Sequence, residues 1–197
     1  MFARRTSLAI LVLASLLTGC AGGQKEALRT DLVRFRGNPV TLEGEGVTVG
    51  SKAPDFRVVN SNMQDASLSD YRGKIVILNV VPSLDTSVCS KQTRTFNEKA
   101  AALGDDVAIL TVSMDLPMAQ KRWCAAHGID RVKTFSDYKY HDFSRAFGLR
   151  IRESGLLARS VYVIDPEGVI RYEQIVPELT TEPDYDDVLA AVDQLRS

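Results

Sequence analysis

The apolar and polar positions along the chain divide it into a short greasy stretch near the start and a long run of alternating strand and helix patterns. Residues 8–17 are apolar apart from Ser15, and residues 21–27 are small and polar, as a tether would be. Residues 31–49 alternate around Gly37-Asn38-Pro39, with Val33, Phe35, Val40 and Leu42 on either side, which predicts a β-hairpin. Residues 50–56 (GSKAPDF) read as a turn entering a short strand near 57–60. Residues 74–81 (KIVILNVV) are continuously apolar and β-branched, the pattern of a central strand buried on both faces. Helical spacing follows over 90–103, with Phe96, Ala100 and Leu103 on one side, and a second buried strand over 107–112. Residues 117–126 predict a helix with Pro in its first turn, and 141–147 a short helix. Strands over 161–164 and 169–175 flank the turn tetrapeptide Asp165-Pro166-Glu167-Gly168, and 185–195 form a closing amphipathic helix.

Two apolar strands around one helix require a crossover, hence a parallel pair with helices outside, and the final hairpin adds antiparallel strands. The expectation is an α/β domain with a mixed central sheet flanked by helices and an N-terminal hairpin, a thioredoxin-like fold. Composition agrees with one globular domain: 197 residues, 45% hydrophobic and 25% charged. The net charge of −1 with no basic run argues against a nucleic-acid partner.

The N-terminus reads as a targeting segment. Arg4 and Arg5 precede the ten-residue apolar stretch, too short for a membrane-spanning helix, and small residues follow. Leu17-Thr18-Gly19-Cys20 resembles the lipobox of bacterial lipoproteins. That resemblance implies cleavage before Cys20 and acylation of its sulfur and new amino end, and two or three acyl chains anchor stably where one does not. The expected organisation is a signal peptide over 1–19, lipidated Cys20 and a tether over 20–30, and a domain over 31–197, held to a membrane of the cell envelope and facing the periplasm. Of three cysteines, Cys89 and Cys124 then remain free to react. An even pair in an exported protein suggests a disulfide, structural or catalytic.

The chemistry concentrates in Pro82-Ser83-Leu84-Asp85-Thr86-Ser87-Val88-Cys89, which follows a buried strand and opens a helix. A cysteine in a first helical turn faces unpaired N–H groups and the positive end of the dipole, both of which favour thiolate over thiol. Thr86 can place its hydroxyl beside that sulfur, and Pro82 covers the pocket without adding a donor. A structural cysteine near a capping Thr is the bland reading of the same run.

Pro82, Thr86 and Cys89 match the PxxxTxxC pattern of the peroxiredoxins, and further motifs resemble the thiol peroxidase branch, the atypical two-Cys peroxiredoxins. These are Phe35-Arg36-Gly37-Asn38-Pro39-Val40-Thr41 with Gly50-Ser51-Lys52-Ala53, then Ser113 to Gln120 (SMDLPMAQ) with Arg122-Trp123-Cys124, Ala158-Arg159-Ser160-Val161, and Thr180-Thr181-Glu182-Pro183-Asp184-Tyr185. The resemblance runs from about Val33 to the end. It implies that Cys89 attacks the peroxide and becomes a sulfenic acid, and that Cys124 resolves it as an intrachain Cys89–Cys124 disulfide. It implies that Arg159 stabilises the thiolate and the peroxide oxygens, that Thr86 hydrogen-bonds peroxide and sulfur, and that Pro82 shields the site. It further implies a homodimer, hydroperoxide substrates, a thioredoxin-like or membrane thiol reductant, and no metal or organic cofactor. The chain departs from the branch at Ser87, usually Gly, at Trp123, usually Phe, and over 150–157, a few residues shorter than usual.

Two other classes compete. A thioredoxin-type disulfide oxidoreductase would carry a CxxC, which this chain lacks. A non-catalytic lipoprotein stapled by Cys89 and Cys124 would show a reducible disulfide and no peroxide reaction. His127 and His141 lie in no ligand spacing and read as surface or capping residues.

Overall fold

A computed structural model describes residues 27–196. The expected signal segment and Cys20 lie outside the described residues. The described residues open with the predicted hairpin, β1 (Leu28–Phe35) and β2 (Asn38–Glu43), turned at Arg36 and Gly37, both with positive φ. The strand begins three residues inside the segment expected to be tether. Leu28 and Arg29 pair with Glu43 and Leu42, beyond a register shift before Val33 that holds Asp31 at φ 64°. That irregularity breaks the period of two, which is why the alternation is legible only from Val33 onward.

The main sheet has seven strands. They are β3 (Arg57–Asn60), β4 (Asp65–Ser67), β5 (Ile75–Val80), β6 (Val107–Ser113), β7 (Lys133–Ser136), β9 (Ser160–Ile164) and β10 (Ile170–Ile175), in the order β10-β9-β5-β6-β7-β3-β4. The apolar runs predicted as central strands, β5 and β6, pair in parallel through α1 (Ser87–Lys99). β7 also pairs in parallel with β6, through α2 (Pro117–His127), while β9 runs antiparallel to β5. β8 (Arg150–Ile151) adds to the hairpin as a third strand. β4, β7 and β8 have no counterpart in the sequence reading, because segments of four residues or fewer are too short to display a period, and β3, equally short, was legible only from the turn that enters it.

Alternation along β5 distributes its side chains between two cores. Ile75 and Ile77 join Phe96 of α1 and Val188 and Val192 of α4 (Tyr185–Gln194). Val76, Leu78 and Val80 face the hairpin residues Val33 and Leu42 and the rings of α3 (Asp142–Phe147). Phe143 and Phe147 stack there at 4.7 Å, with Phe56 edge-on to both. Each buried side chain of this size contributes on the order of 1.5–3 kcal/mol. This rigid slab fixes the two ends of β5 in space, and the reactive loop leaves from its C-terminal end.

Candidate active site

Val81 and Pro82, both buried, carry the chain out of β5 into a loop that ends at Thr86, the N-cap of α1. Asp115, in the turn between β6 and α2, pins this loop. Its carboxylate accepts from Ser83 Oγ at 2.7 Å, the Leu84 N–H at 2.8 Å and Ser113 Oγ at 2.8 Å. With the loop pinned, α1 starts at Ser87, three residues earlier than its apolar spacing indicates, and Cys89 falls in its first turn. The sulfur is fully buried beside Val81, Leu84 and Trp123.

Arg159 reaches it from across the sheet. β5 and β9 pair with Val80 opposite Ser160, so Arg159, one residue before β9, lies level with the start of the reactive loop. Arg159 is 2% exposed, and its Nη2 donates to Cys89 Sγ at 3.3 Å. Nε and Nη2 both donate to the Leu179 carbonyl, at 3.1 and 2.8 Å, and Nη1 donates to Gln92 Oε1 at 2.5 Å. Gln92 in turn donates to Asn79 Oδ1, and Asn79 Nδ2 donates to Thr111 Oγ1 at 2.8 Å. A planar fork whose donors each meet an acceptor cannot swing away from the sulfur without leaving buried groups unpaired. A guanidinium donating to sulfur at the positive end of a helix places positive potential on the reactive atom.

Thr86 stands differently from expectation. Its side chain is exposed, and Oγ1 donates to the Ser83 carbonyl at 3.0 Å rather than to the sulfur. The hydroxyl closes the loop as a turn by bonding back to the carbonyl three residues earlier. Pro82 is buried at the loop's start.

Cys124 is a half-buried thiol on α2, with Sγ 3.7 Å from Thr134 Oγ1 of β7. Burial pushes this thiol up, against the lowering effect of the Thr134 hydrogen bond. Cys89 and Cys124 are both free, and they border one apolar cluster through Trp123. Trp123 stacks on His127 at 4.6 Å, and His127 Nδ1 lies 2.9 Å from the Trp123 carbonyl, so this His is occupied at the end of α2. His141 is the N-cap residue of α3. Among the described residues no group of three His, Cys, Asp or Glu side chains could hold a metal ion.

Asn79, Gln92, Asp115 and the Leu179 carbonyl were not singled out from the sequence. Two of them left a trace: Asn79 is the one uncharged polar residue in KIVILNVV, and Gln92 lies three residues after Cys89, on the same helix face. A backbone carbonyl leaves no trace at all.

Residues 48–189 match the Redoxin family. The thiol peroxidase of Bacillus subtilis (strain 168) is 50% identical over 163 residues, which covers 83% of this chain and 97% of that one. Among solved structures, a peroxiredoxin-like protein from Aquifex aeolicus superposes with a TM-score of 0.79 at 42% identity, covering 85% of this chain and 97% of its own. A thiol peroxidase from Chromobacterium violaceum shares the thioredoxin-like fold at 17% identity, with a TM-score of 0.74 over 82% of this chain and 95% of that one. The buried helix-start thiol under an arginine and this extent of identity agree: the chain belongs to the Redoxin family, in its thiol peroxidase branch.

Proposed function

We propose that the chain carries out the thiol-dependent peroxide reduction of its family with Cys89 as the attacking thiol and Cys124 as the resolving one. The observation that carries this reading is the 3.3 Å contact from Arg159 Nη2 to Cys89 Sγ at the first turn of α1. The Cys89 thiolate attacks the terminal oxygen of a hydroperoxide, the O–O bond breaks, and the departing alkoxide or hydroxide leaves as alcohol or water on taking a proton. Cys89 is left as the sulfenic acid. Arg159 donates to the thiolate and then to the negative charge that develops on the peroxide oxygens. Peroxide enters on the side of Asp85, Thr86 and Ser87, which are exposed, and Pro82 keeps water from the buried side. The Cys124 thiolate then attacks the sulfenic sulfur, forming the Cys89–Cys124 disulfide and releasing water. A thioredoxin-like or membrane-bound dithiol reduces that disulfide by exchange. No metal or organic cofactor enters these steps.

Resolution requires motion in this scheme. Both thiols border one apolar cluster, the loop entering α1 is held by Asp115, and Lys91, just past the first turn of α1, is held by its 2.5 Å ion pair with Glu182. Local opening around 87–91 and 122–126 then brings the sulfurs together, in the low range of local stabilities. The lipobox-like sequence ending in Cys20 supports a membrane-anchored protein facing the periplasm. Leu116 and Met118, about half exposed at the start of α2, are apolar surface available to a second copy in a homodimer.

The test is a peroxidase assay of the purified protein with hydrogen peroxide and alkyl hydroperoxides, coupled to consumption of a dithiol reductant. Cys89→Ser should abolish turnover, and appreciable residual turnover would refute the assignment.

A further inference from the structure

The Leu179 carbonyl that orients Arg159 is itself held by an arrangement centred on Glu178. This residue lies in the loop between β10 and α4, and none of its atoms bonds to Arg159 or to the sulfur. Its carboxylate accepts the two N–H groups at the tip of the N-terminal hairpin, Arg36 N–H on Oε1 at 3.0 Å and Gly37 N–H on Oε2 at 3.0 Å. Oε1 also accepts the Thr180 N–H at 3.1 Å and the Thr180 hydroxyl at 2.7 Å. The backbone completes the joint: Arg34 N–H donates to the Pro177 carbonyl at 2.7 Å, and Leu179 N–H donates to the Arg34 carbonyl at 2.9 Å. With its N–H fastened to β1, the Leu179 peptide turns its carbonyl inward, where it takes two of the Arg159 donors. One of those donors, Nη2, is the group that also meets Cys89 Sγ.

We infer that Glu178 is a positioning residue for peroxide reduction, setting the Leu179 carbonyl and, through it, the aim of Arg159 at Cys89. A guanidinium is a rigid planar fork, so moving one of its acceptors rotates every other donor, and Nη2 is shared between that acceptor and the sulfur. A misplacement of about 1 Å in a catalytic group costs up to about a hundredfold in rate. The clamp is permanent at any working pH. The Gly37 N–H, then the Thr180 hydroxyl and N–H, hold the Glu178 carboxyl down to about 2, so it stays charged and makes charge-assisted bonds. Gln at 178 has nearly the same shape but carries an N–H₂ group in place of one acceptor oxygen, so it faces at least one hairpin N–H with a donor.

The inference rests on the role of Arg159 given above, and a double-mutant cycle separates the two. Glu178→Gln, Arg159→Met and the double variant are made in the full chain, reduced, and mixed with hydrogen peroxide in a single turnover. Alkylation of Cys89 against pH and the thermal midpoint are recorded alongside. Glu178→Gln should react about tenfold more slowly, with its alkylation profile displaced to higher pH. The double variant should be no slower than Arg159→Met alone. A residue that only staples the hairpin would lower the midpoint and leave rate and profile in place. A Glu178→Gln rate within about twofold of wild type, or losses that multiply in the double variant, overturns the inference while the Arg159 role stands. If Arg159→Met itself reacts at the wild-type rate, the Arg159 role is what has failed. Should Glu178→Gln not fold, Thr180→Val removes only the hydroxyl bond to Oε1. It should then be about threefold slower and non-additive with Arg159→Met, and an unchanged rate again overturns the inference.

Discussion

Arg159→Met is the substitution whose consequences the structure specifies most fully. Met keeps an unbranched side chain in the same buried channel and removes the charge with every donor. In the native site Nη2 lies 3.3 Å from Cys89 Sγ, and both residues are almost wholly shut off from solvent, so water does not readily replace the lost donor. Removing one positioned donor to developing negative charge costs about 2.7–4 kcal/mol, a rate loss of about 10²–10³. The fold should survive. Leu179 O and Gln92 Oε1 lose their guanidinium partners, at about 1–3 kcal/mol each, partly offset because no charge is then buried. A domain of this size has about 5–15 kcal/mol to draw on. The assay is rapid mixing of reduced protein with peroxide, with the rate read from loss of free thiol. Alkylation of Cys89 across pH gives a second, independent readout. The donor favours the charged sulfur, so its removal should displace the alkylation profile to more alkaline pH. A rate within about threefold of wild type, less than 1 kcal/mol of barrier, together with an unmoved profile would refute a role for Arg159 at this sulfur.

Cys124→Ser should consume about one equivalent of peroxide and then stall as sulfenic acid, proceeding to sulfinic acid in excess peroxide; sustained turnover with a dithiol donor would exclude Cys124 as the resolving thiol. Trp123, the sole Trp, is buried beside Cys89 and stacked on His127, so its fluorescence should change when peroxide is added to reduced protein and recover on reduction. The change should be absent in Cys124→Ser, and identical spectra in both redox states of the unmutated protein would mean that the disulfide forms without rearrangement of α2. Cys20→Ala should abolish partitioning into detergent while leaving peroxide reduction by the purified protein intact; a variant that still partitions with detergent carries some other anchor.

Local pattern carried much of this protein. The two-face burial of β5 and β6, the Pro-led start of α2, the turn at Asp165–Gly168 and the amphipathic α4 follow from side-chain period and turn chemistry, which act within a few residues. So does the placement of Cys89 at a helix start, because Thr86 and the preceding apolar strand bound it on one side. Resemblance, rather than pattern, pointed to Arg159. Its meeting with Cys89 is a matter of register: Val80 opposite Ser160 in an antiparallel pair between strands far apart in sequence, a relation that no window of sequence contains. The same holds for the acceptors that aim the guanidinium. Gln92 and Asn79 are brought together by packing α1 on the face of β5 that carries Ile75 and Ile77, and the Leu179 carbonyl is turned inward by a hairpin from the opposite end of the chain. Thr86 shows the limit from the other side, since its motif position was legible while its hydrogen bond to Ser83 was not. A hydroxyl takes whichever acceptor the folded loop puts nearest, and only the fold decides which one that is.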